Sequence, residues 1–337
     1  MTDSIGTDTV TGRISAFFRS PGARALASLA VIFLLGMIFN ADGAFFKWGT
    51  HRDMLRQVSV YGILACGMTL VIITSGIDLS VGSILGFTAV LFSLLSIPWG
   101  WSPWLAIPAT FAVGAACGVV SGALIARFTI QPFIATLAMM VFARGMAKFV
   151  SGGQKISTAV QQADGSYQYV EVPPVFDFIN STTLGGNLTV VTLLFILCVI
   201  VSFIILAKLR WGRYLYAIGG NEEASRLSGV PVAAVKVFAY GMCGLFCALA
   251  GICQAAQEFQ GDPEAGIAYE LSAIAIVVIG GTSLRGGRGG IWLTFLGTVI
   301  IGYLEKVLSI NAVGEESRLM LTGVIIILAV LFQKRRT

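Results

Sequence analysis

Long apolar stretches separated by shorter polar segments fill most of the 337-residue chain. A helix needs about 20 mainly apolar residues to cross a bilayer, because each backbone amide there must find its partner within the segment. About ten stretches come close to this length: Ala25 to Asn40, Val58 to Ser75, Val81 to Ser96, Trp104 to Ala126, Pro132 to Phe149, Leu188 to Leu209, Ala233 to Gln257, Leu271 to Gly281, Ile291 to Leu308 and Leu319 to Phe332. The pattern predicts an all-α, polytopic membrane protein with about ten transmembrane helices.

Glycines and alanines refine this picture. The sequence VVIGGTSLRGGRGGIW follows the short eighth stretch, and its glycines predict a tight turn or a broken helix. Small residues at helical spacing predict faces on which two helices pack closely. These residues are Gly114, Gly118 and Gly122 in the fourth stretch, and Gly244, Ala248, Gly251 and Ala255 in the seventh.

The composition agrees with a membrane protein, since 56% of the residues are apolar, 12% are charged and the mean hydropathy is +0.86. Most of the 22 Lys and Arg residues lie in alternate loops, which the positive-inside rule places in the cytoplasm with both termini. Lys47, Arg52 and Arg56 are exceptions in the first outer loop. The net charge of +5 therefore reflects topology and not nucleic-acid binding. We expect a cytoplasmic segment 1–24, one membrane domain 25–332 and a cytoplasmic tail 333–337.

Two longer polar segments interrupt the domain. Residues 150–187 are predicted to lie outside, where they are long enough to form a lid or a docking surface. Residues 210–231 are predicted to lie in the cytoplasm and to contain a short helix, Glu222 to Ser228. Asn221 is its expected N-cap, and Gly229 with Pro231 ends it. So short a helix is not stable alone, which favours docking against a partner; a solvated surface turn is the alternative.

Motifs for catalysis, nucleotide binding and metal binding are absent from the sequence, so we expect neither an enzyme nor a cofactor or metal site. The six cysteines all lie in predicted spans and are interpreted as packing residues. The span centres carry almost no charge, which argues against a coupling-ion site.

Neutral polar side chains within the spans suit a route for a neutral, hydroxylated solute, although ordinary hydrogen bonding between helices is the simpler explanation for any one of them. The fifth stretch begins at Gln131 and carries Thr136, Met140 and Arg144 at four-residue steps on one face. We predict that this face lines the route; core packing is the alternative for Met140. Gln254 and Gln257 are further candidates in the seventh stretch.

Four separated stretches resemble one known family. GMTLVIITSGIDLSVGSILGF, QPFIATLAMMVFARG, GRYLYAIGGNEEASRLSGV and YELSAIAIVVIGGTSLRGG occur in order and together resemble the ribose/xylose/galactose-type ABC importer permeases. The resemblance extends from about Val58 to Phe332. It implies a fold of the vitamin-B12-permease type in the bacterial inner membrane, acting as a pair of identical or related permease subunits.

The resemblance also implies partners and a coupling site. Cytoplasmic ATPase subunits would supply the energy, and a periplasmic binding protein would deliver a small sugar. The residues that match or adjoin the family's coupling motif are Arg213, Asn221, Glu222, Glu223, Ala224, Arg226 and Gly229. An acidic cluster in the outer loop before the eighth stretch is a candidate surface for the binding protein, or simply a solvated loop; it consists of Glu258, Asp262, Glu264 and Glu270.

Asp78 in TSGIDLSVGS is the least expected residue of the matching stretches, because a carboxylate between two apolar runs is a functional candidate. The predicted topology places it at a cytoplasmic turn, beside Ser80, where it caps the next helix or serves as a gate hinge without deep burial. Direct contact with the sugar is the alternative. Two other functions stay open at this point: a branched-chain amino acid ABC permease, and an autonomous secondary transporter or channel.

Overall fold

The computed structural model describes residues 20–161 and 165–314, together with residues 316–318, 320, 321, 323 and 324. Within them, each of the first nine apolar stretches coincides with a helix. The helices are α1 (Pro21–Ile38), α2 (Trp48–Ile73), α3 (Val81–Ser96), α4 (Pro103–Phe128), α5 (Pro132–Ser151), α6 (Pro174–Asn180), α7 (Val190–Ala207), α8 (Arg210–Gly220), α9 (Glu222–Leu227), α10 (Val232–Glu258), α11 (Tyr269–Gly280) and α12 (Ile291–Ile310). Most of the tenth stretch and of segment 1–24 lies outside the described residues.

Seven of these helices are long and apolar enough to span a membrane: α1, α2, α4, α5, α7, α10 and α12. The apolar helices α3 and α11 are shorter, with 16 and 12 residues, or about 24 and 18 Å at 1.5 Å per residue. Both are therefore shorter than the hydrocarbon core of a bilayer, which is about 30 Å thick. The molecule is a helical multi-pass membrane protein in which two helices cross only part of the bundle.

The two ends of the bundle differ in structure. One end, the α9 end, carries α8, α9 and the glycine-rich turn between α11 and α12. The other end, the α6 end, carries α6 and two small antiparallel pairs, β1 (Ala159–Gln161) with β2 (Tyr167–Tyr169) and β3 (Thr182–Thr183) with β4 (Leu188–Thr189). The predicted outer loop 150–187 thus contains short regular elements.

Helix α10 is the central helix of the bundle and packs most closely on α4. A Cβ atom built on Gly118 would overlap the Tyr240 carbonyl oxygen, and one built on Gly244 would overlap that of Gly114. Backbone contacts this close require glycine. Close packing on the predicted small-residue faces is confirmed, although Gly251 of the seventh stretch packs on α3, where its Cβ would overlap the Leu85 carbonyl oxygen, and not on α4.

The glycine-rich sequence after α11 forms a tight turn, as predicted. Gly286 and Gly287 adopt positive φ angles of 78° and 66°. The Gly287 amide donates to the carbonyl of Ile73, the last residue of α2, at 2.9 Å. At the α9 end, this turn therefore joins α2 through its backbone.

Candidate coupling helix and translocation elements

Helix α9 has the local geometry that the sequence predicts. Asn221 is its N-cap, and the side chain of Asn221 accepts a hydrogen bond from the Ala224 amide at 2.9 Å. Glu222 and Glu223 occupy the first turn, where a carboxylate interacts favourably with the helix dipole. Gly229 follows with φ of +80°, so the chain turns sharply towards α10.

Helix α9 is attached to α10 by an ion pair. The Lys236 ammonium, which is largely buried, lies 2.7 Å from one Glu222 carboxylate oxygen, and Arg226 lies 3.2 Å from the other. Ser225 is buried and donates back to the Asn221 carbonyl at 2.8 Å. A displacement of α9 therefore acts directly on the first turns of α10.

Helix α8 was not predicted, because its sequence was assigned to a polar loop. Its residue Tyr216 donates to the Gly289 carbonyl at 3.0 Å, and a Cβ on Gly219 would overlap the Ile73 carbonyl oxygen. The Ser75 hydroxyl, in turn, donates to the Arg285 carbonyl at 2.8 Å. Helix α8 thus packs on the end of α2 and on the glycine-rich turn, which connects α9 to two further elements.

Leu227 is a surface feature that the sequence reading missed. It is the last residue of α9, and 82% of it is exposed. The sequence alone could have indicated this exposure. Leu227 is a large apolar residue at the end of a short polar helix, and neither this helix nor the turn after it has apolar residues against which Leu227 could be buried.

Asp78 lies in the first break segment, which is defined as residues 74–80 between α2 and α3. The prediction that Asp78 lies at a turn without deep burial is wrong. Its side chain is completely buried. It lies close to the thiol of Cys243, which is eleven residues, or about 17 Å, from the start of the 27-residue helix α10. The first break segment therefore turns back into the bundle after α2, and Asp78 is held deep inside instead of at a surface turn.

Asp78 also does not cap α3. The N-cap is Ser80, and Asp78 Oδ1 accepts the Ser80 amide at 2.9 Å and the Ser80 hydroxyl as well. Its second oxygen, Oδ2, is buried and has no hydrogen-bond partner among the described residues. The carboxyl group therefore organises the turn before α3 while half of its hydrogen-bonding capacity is poorly used.

The second break segment, residues 259–268 between α10 and α11, enters the bundle from the α6 end. A Cβ built on Gly266 would overlap the Gly82 carbonyl oxygen, and one built on Gly82 would overlap that of Gly266. The first turn of α3 thus meets the second break segment inside the bundle, just before α11 begins. From this meeting point α3 runs to the α6 end and α11 to the α9 end.

Helix α5 holds both break segments. Near its start, the Thr136 hydroxyl is buried, bonds the Pro132 carbonyl at 2.8 Å and lies 3.5 Å from the Ile77 carbonyl oxygen of the first segment. Two turns later, the Arg144 guanidinium donates to the Pro263 and Ala265 carbonyls of the second segment, the latter at 2.8 Å. Irregular backbone within a membrane must be satisfied by neighbouring protein groups, and α5 provides them.

Ion pairs attach the second break segment to the end of α5 and the residues after it. Lys148 lies 3.1 Å from Glu264 and Lys155 lies 2.9 Å from Asp262. Burial of Asp262 opposes its ionisation, but hydrogen bonds from Lys155 and the Glu264 amide, with the nearby positive charges, hold the pKa of Asp262 below its usual value. Two members of the predicted acidic docking cluster are thus paired within the chain.

The remaining predicted route residues are dispersed. Gln131 is exposed at the start of α5, near α9, while Met140 is half-buried. At the α6 end, Gln254 hydrogen-bonds Glu258, and Gln257 donates to the Arg56 carbonyl at 3.2 Å. The structure therefore brings together Asp78, Ser80, Thr136 and Arg144 around the two break segments, and it leaves these other residues outside that group.

Comparison with known proteins identifies the family. Residues 52–330 match the family described as "Branched-chain amino acid transport system / permease component". The chain belongs to this permease family.

The curated relatives cover nearly the whole permease. This chain is 39% identical over 334 residues to the ribose import permease protein RbsC of Escherichia coli (strain K12), and the alignment covers 98% of this chain and 99% of the relative. It is 38% identical to RbsC of Bacillus subtilis (strain 168), over 85% of this chain and 84% of the relative. It is 32% identical to the fructose import permease protein FrcC of Rhizobium meliloti, over 96% and 88%. No solved structure matches the chain.

The site is built from hydrogen-bonding, ion-pairing and packing groups. In the described part of the chain, no group of three or more His, Cys, Asp or Glu side chains is arranged to hold a metal ion. All six cysteines are buried and unpaired by disulfides. The permease instead offers a capped, exposed helix at one end and two interrupted membrane segments in its interior.

Proposed function

We propose that this chain is the permease subunit of an ATP-binding cassette importer that admits a monosaccharide delivered by a periplasmic binding protein. The observation that carries the proposal is the similarity to ribose import permeases over nearly the full length of both chains. The fructose import permease and the L-arabinose transport system permease among the relatives favour a sugar over a branched-chain amino acid, although the family description names the latter. Among the sugars, a pentose is the first candidate substrate, since ribose is the sugar named most often among these relatives.

The proposed site of coupling is α9. Its N-cap, its ion pair to α10 and the attachment of α8 to α2 and to the glycine-rich turn connect it rigidly to three elements of the membrane domain. In this proposal Leu227 inserts into an apolar groove of a separate ATPase, while the exposed Arg213, Glu223, Arg226 and Gly229 contact its rim. Closure of the ATPase on ATP then moves α10 and α2 together.

The proposed translocation element is the junction of the two break segments with α5. Carbonyls that are held by Thr136 and Arg144 exchange partners more easily than those of a continuous helix, so the junction suits a gate between two states. Asp78 and Ser80 position this gate from one side. A second permease subunit, identical or related, would complete the route.

The proposed orientation follows from these assignments. The α9 end faces the cytoplasm with both termini, and the α6 end, with residues 150–187, faces the periplasmic binding protein across the inner membrane. The full count of ten spans, the vitamin-B12-permease-like arrangement and the boundaries 1–24, 25–332 and 333–337 belong to the same proposal. Of the acidic docking cluster, Glu258 and Glu270 are the members without an ion pair to a base among the described residues.

Transport by the reconstituted complex tests the function. The permease is reconstituted in liposomes with its ATPase on the inside and the binding protein added outside. Uptake of labelled ribose, fructose and leucine is then measured with and without ATP in the liposome lumen. We expect ATP-dependent uptake of one sugar and none of leucine. Sugar flux through the permease alone would identify an autonomous transporter instead, and leucine uptake would favour the amino acid branch.

The coupling assignment has its own test. Leu227→Asp is expected to lower both ATPase binding and uptake at least tenfold, because it places a carboxylate in an apolar contact. Leu184→Asp makes the same change at an exposed leucine of the α6 end and should retain ATPase binding. Equal ATPase binding by wild type and Leu227→Asp would remove α9 from the contact.

A further inference from the structure

Two cavities adjoin each other along the outer face of the α4–α10 seam. The first is a groove of about 770 Å³ whose lining is apolar except for Arg127 at its end; Val119, Ala123, Val237, Gly241 and Leu245 are among the lining residues. The second, of about 830 Å³, lies at the α9 end between the loop after α4, α9 and the start of α10. Arg127, Ala126, Ala233 and Ala234 line both, so the two cavities form one continuous site.

The second cavity carries an excess of positive charge. Arg127, Arg226 and Lys236 line it, with Glu222 as the carboxylate among its lining residues. Glu222 is shared by Lys236 and Arg226 at 2.7 and 3.2 Å. Arg127 is exposed, and no carboxylate of the described residues lies within ion-pair distance of it. The cavity thus has three cations for one anion and one cation without an ion pair.

We propose that this site binds one anionic phospholipid. Both α4 and α10 are long and apolar enough to span the membrane, so the groove lies at bilayer depth and takes an acyl chain. The basic cavity lies where the helices leave the membrane and takes the phosphate, with Arg127 as its main partner and Lys236 beside it. Clusters of basic residues at a membrane surface attract anionic headgroups in this way.

A second copy of the chain is a less suitable occupant. Twofold symmetry would place the same patch of each copy against the other. The excess positive charge of one basic cavity would then face that of its partner, and like charges at an interface are unfavourable. A phospholipid supplies the opposite charge instead.

Lipid competition tests the proposal independently of transport. The purified chain is released from nanodiscs that contain phosphatidylglycerol and phosphatidylcholine with equal acyl chains, and the retained lipids are counted by native mass spectrometry. We expect one retained phosphatidylglycerol. Arg127→Glu should lower the preference for it about five- to thirtyfold, because one basic residue near an anionic surface contributes about fivefold. Lys208→Glu, an equal charge reversal at the exposed end of α7, should retain it.

A second pair of variants tests the groove. Ala234→Trp fills it from an exposed position and should displace the lipid without changing any charge. Ala138→Trp, at an exposed position of α5 outside the described cavities, is the matched control. Equal retention of both phospholipids by the wild type, or an unchanged preference in Arg127→Glu, would refute the proposal. Efficient cross-linking of two chains through Val119→Cys would assign the groove to a second copy and refute it as well.

Discussion

The two break segments solve the same structural problem with different chemistry. Each ends a long helix, turns inside the bundle and starts a short one, and Gly82, in the first turn of α3, touches Gly266 of the second segment. The first segment is held by buried groups: the Asp78 carboxylate on Ser80, and the Tyr240 hydroxyl, which lies 3.3 Å from the Ile77 carbonyl oxygen. The second is held mainly by cations that come from α5 and the residues after it.

This difference indicates which of the two segments can change conformation more easily. The buried contacts of the first segment are worth more, because their loss leaves unpaired polar groups without water. The ion pairs of the second segment are partly exposed and respond to salt, pH and partners. Residue Ile267 of the second segment is 60% exposed, whereas Asp78 is fully buried. We therefore expect the second segment to move and the first to act as its support.

The largest effect is expected where the start of α3 meets the second segment. Gly82→Ala places a Cβ against the Gly266 carbonyl, and backbone cannot move aside as a flexible side chain does. We expect a loss of about 3 kcal/mol or more in the free energy of unfolding, measured in mixed micelles. Gly145→Ala on α5, where a Cβ meets nothing within 4 Å, is the control and should be neutral or slightly stabilising. Equal stability of the two variants would show that the start of α3 does not touch the second segment.

Asp78 tests the first segment alone. Asp78→Ala removes the acceptor of the Ser80 amide and hydroxyl, and we expect a loss of about 2 kcal/mol in the free energy of unfolding. Asp78→Asn keeps an acceptor oxygen and should lose about half as much. If the two substitutions cost the same, the negative charge matters and not the hydrogen bonds. Asp262→Asn in the second segment should have a much smaller effect than either.

Arg144 tests how α5 holds the second segment. Arg144→Met removes both hydrogen bonds to the Pro263 and Ala265 carbonyls, and we expect it to lower the free energy of unfolding by about 1–2 kcal/mol. The stability of Arg144→Lys should lie between those of Arg144→Met and the wild type. The effect should be concentrated in residues 259–268, which hydrogen exchange detects. Uniform destabilisation of the bundle, without a local change, would contradict the role that we assign to this residue.

The smallest effect is expected from pH. Because the pKa of Asp262 is lowered in the folded chain, its ion pair is stabilising above the usual aspartate value of about 3.9 and is lost as pH falls through the lowered value. A spin label at Ile267→Cys should gain mobility below about pH 3.9, whereas one at Ser75→Cys in the first segment should not. The ion pair is unimportant for the segment if both labels respond alike.

Sequence reasoning located most helices and the whole of α9, because spans, caps and glycine turns are signalled by neighbouring residues. It misplaced Asp78, since the return of the chain into the bundle depends on α5 and α10, whose residues are distant in sequence. Helix α8 was missed because its sequence was assigned to the polar segment 210–231, whereas its Gly212 and Gly219 make close contacts with α7 and α2 that fix it on the bundle. The site residues that the structure groups together were identified, although their roles as supports of broken backbone were not.

The break segments also set a condition on how the chain enters the membrane. Residues 74–80 emerge from the ribosome well before α10, whose Tyr240 bonds to their backbone. At about 5–20 residues per second, synthesis of the chain between Ile77 and Tyr240 takes roughly 8 to 33 seconds. Exposed irregular backbone is not tolerated in lipid during that interval. We therefore expect α3 to reach its final position only after α10 has been synthesised, and not as part of an early hairpin with α2.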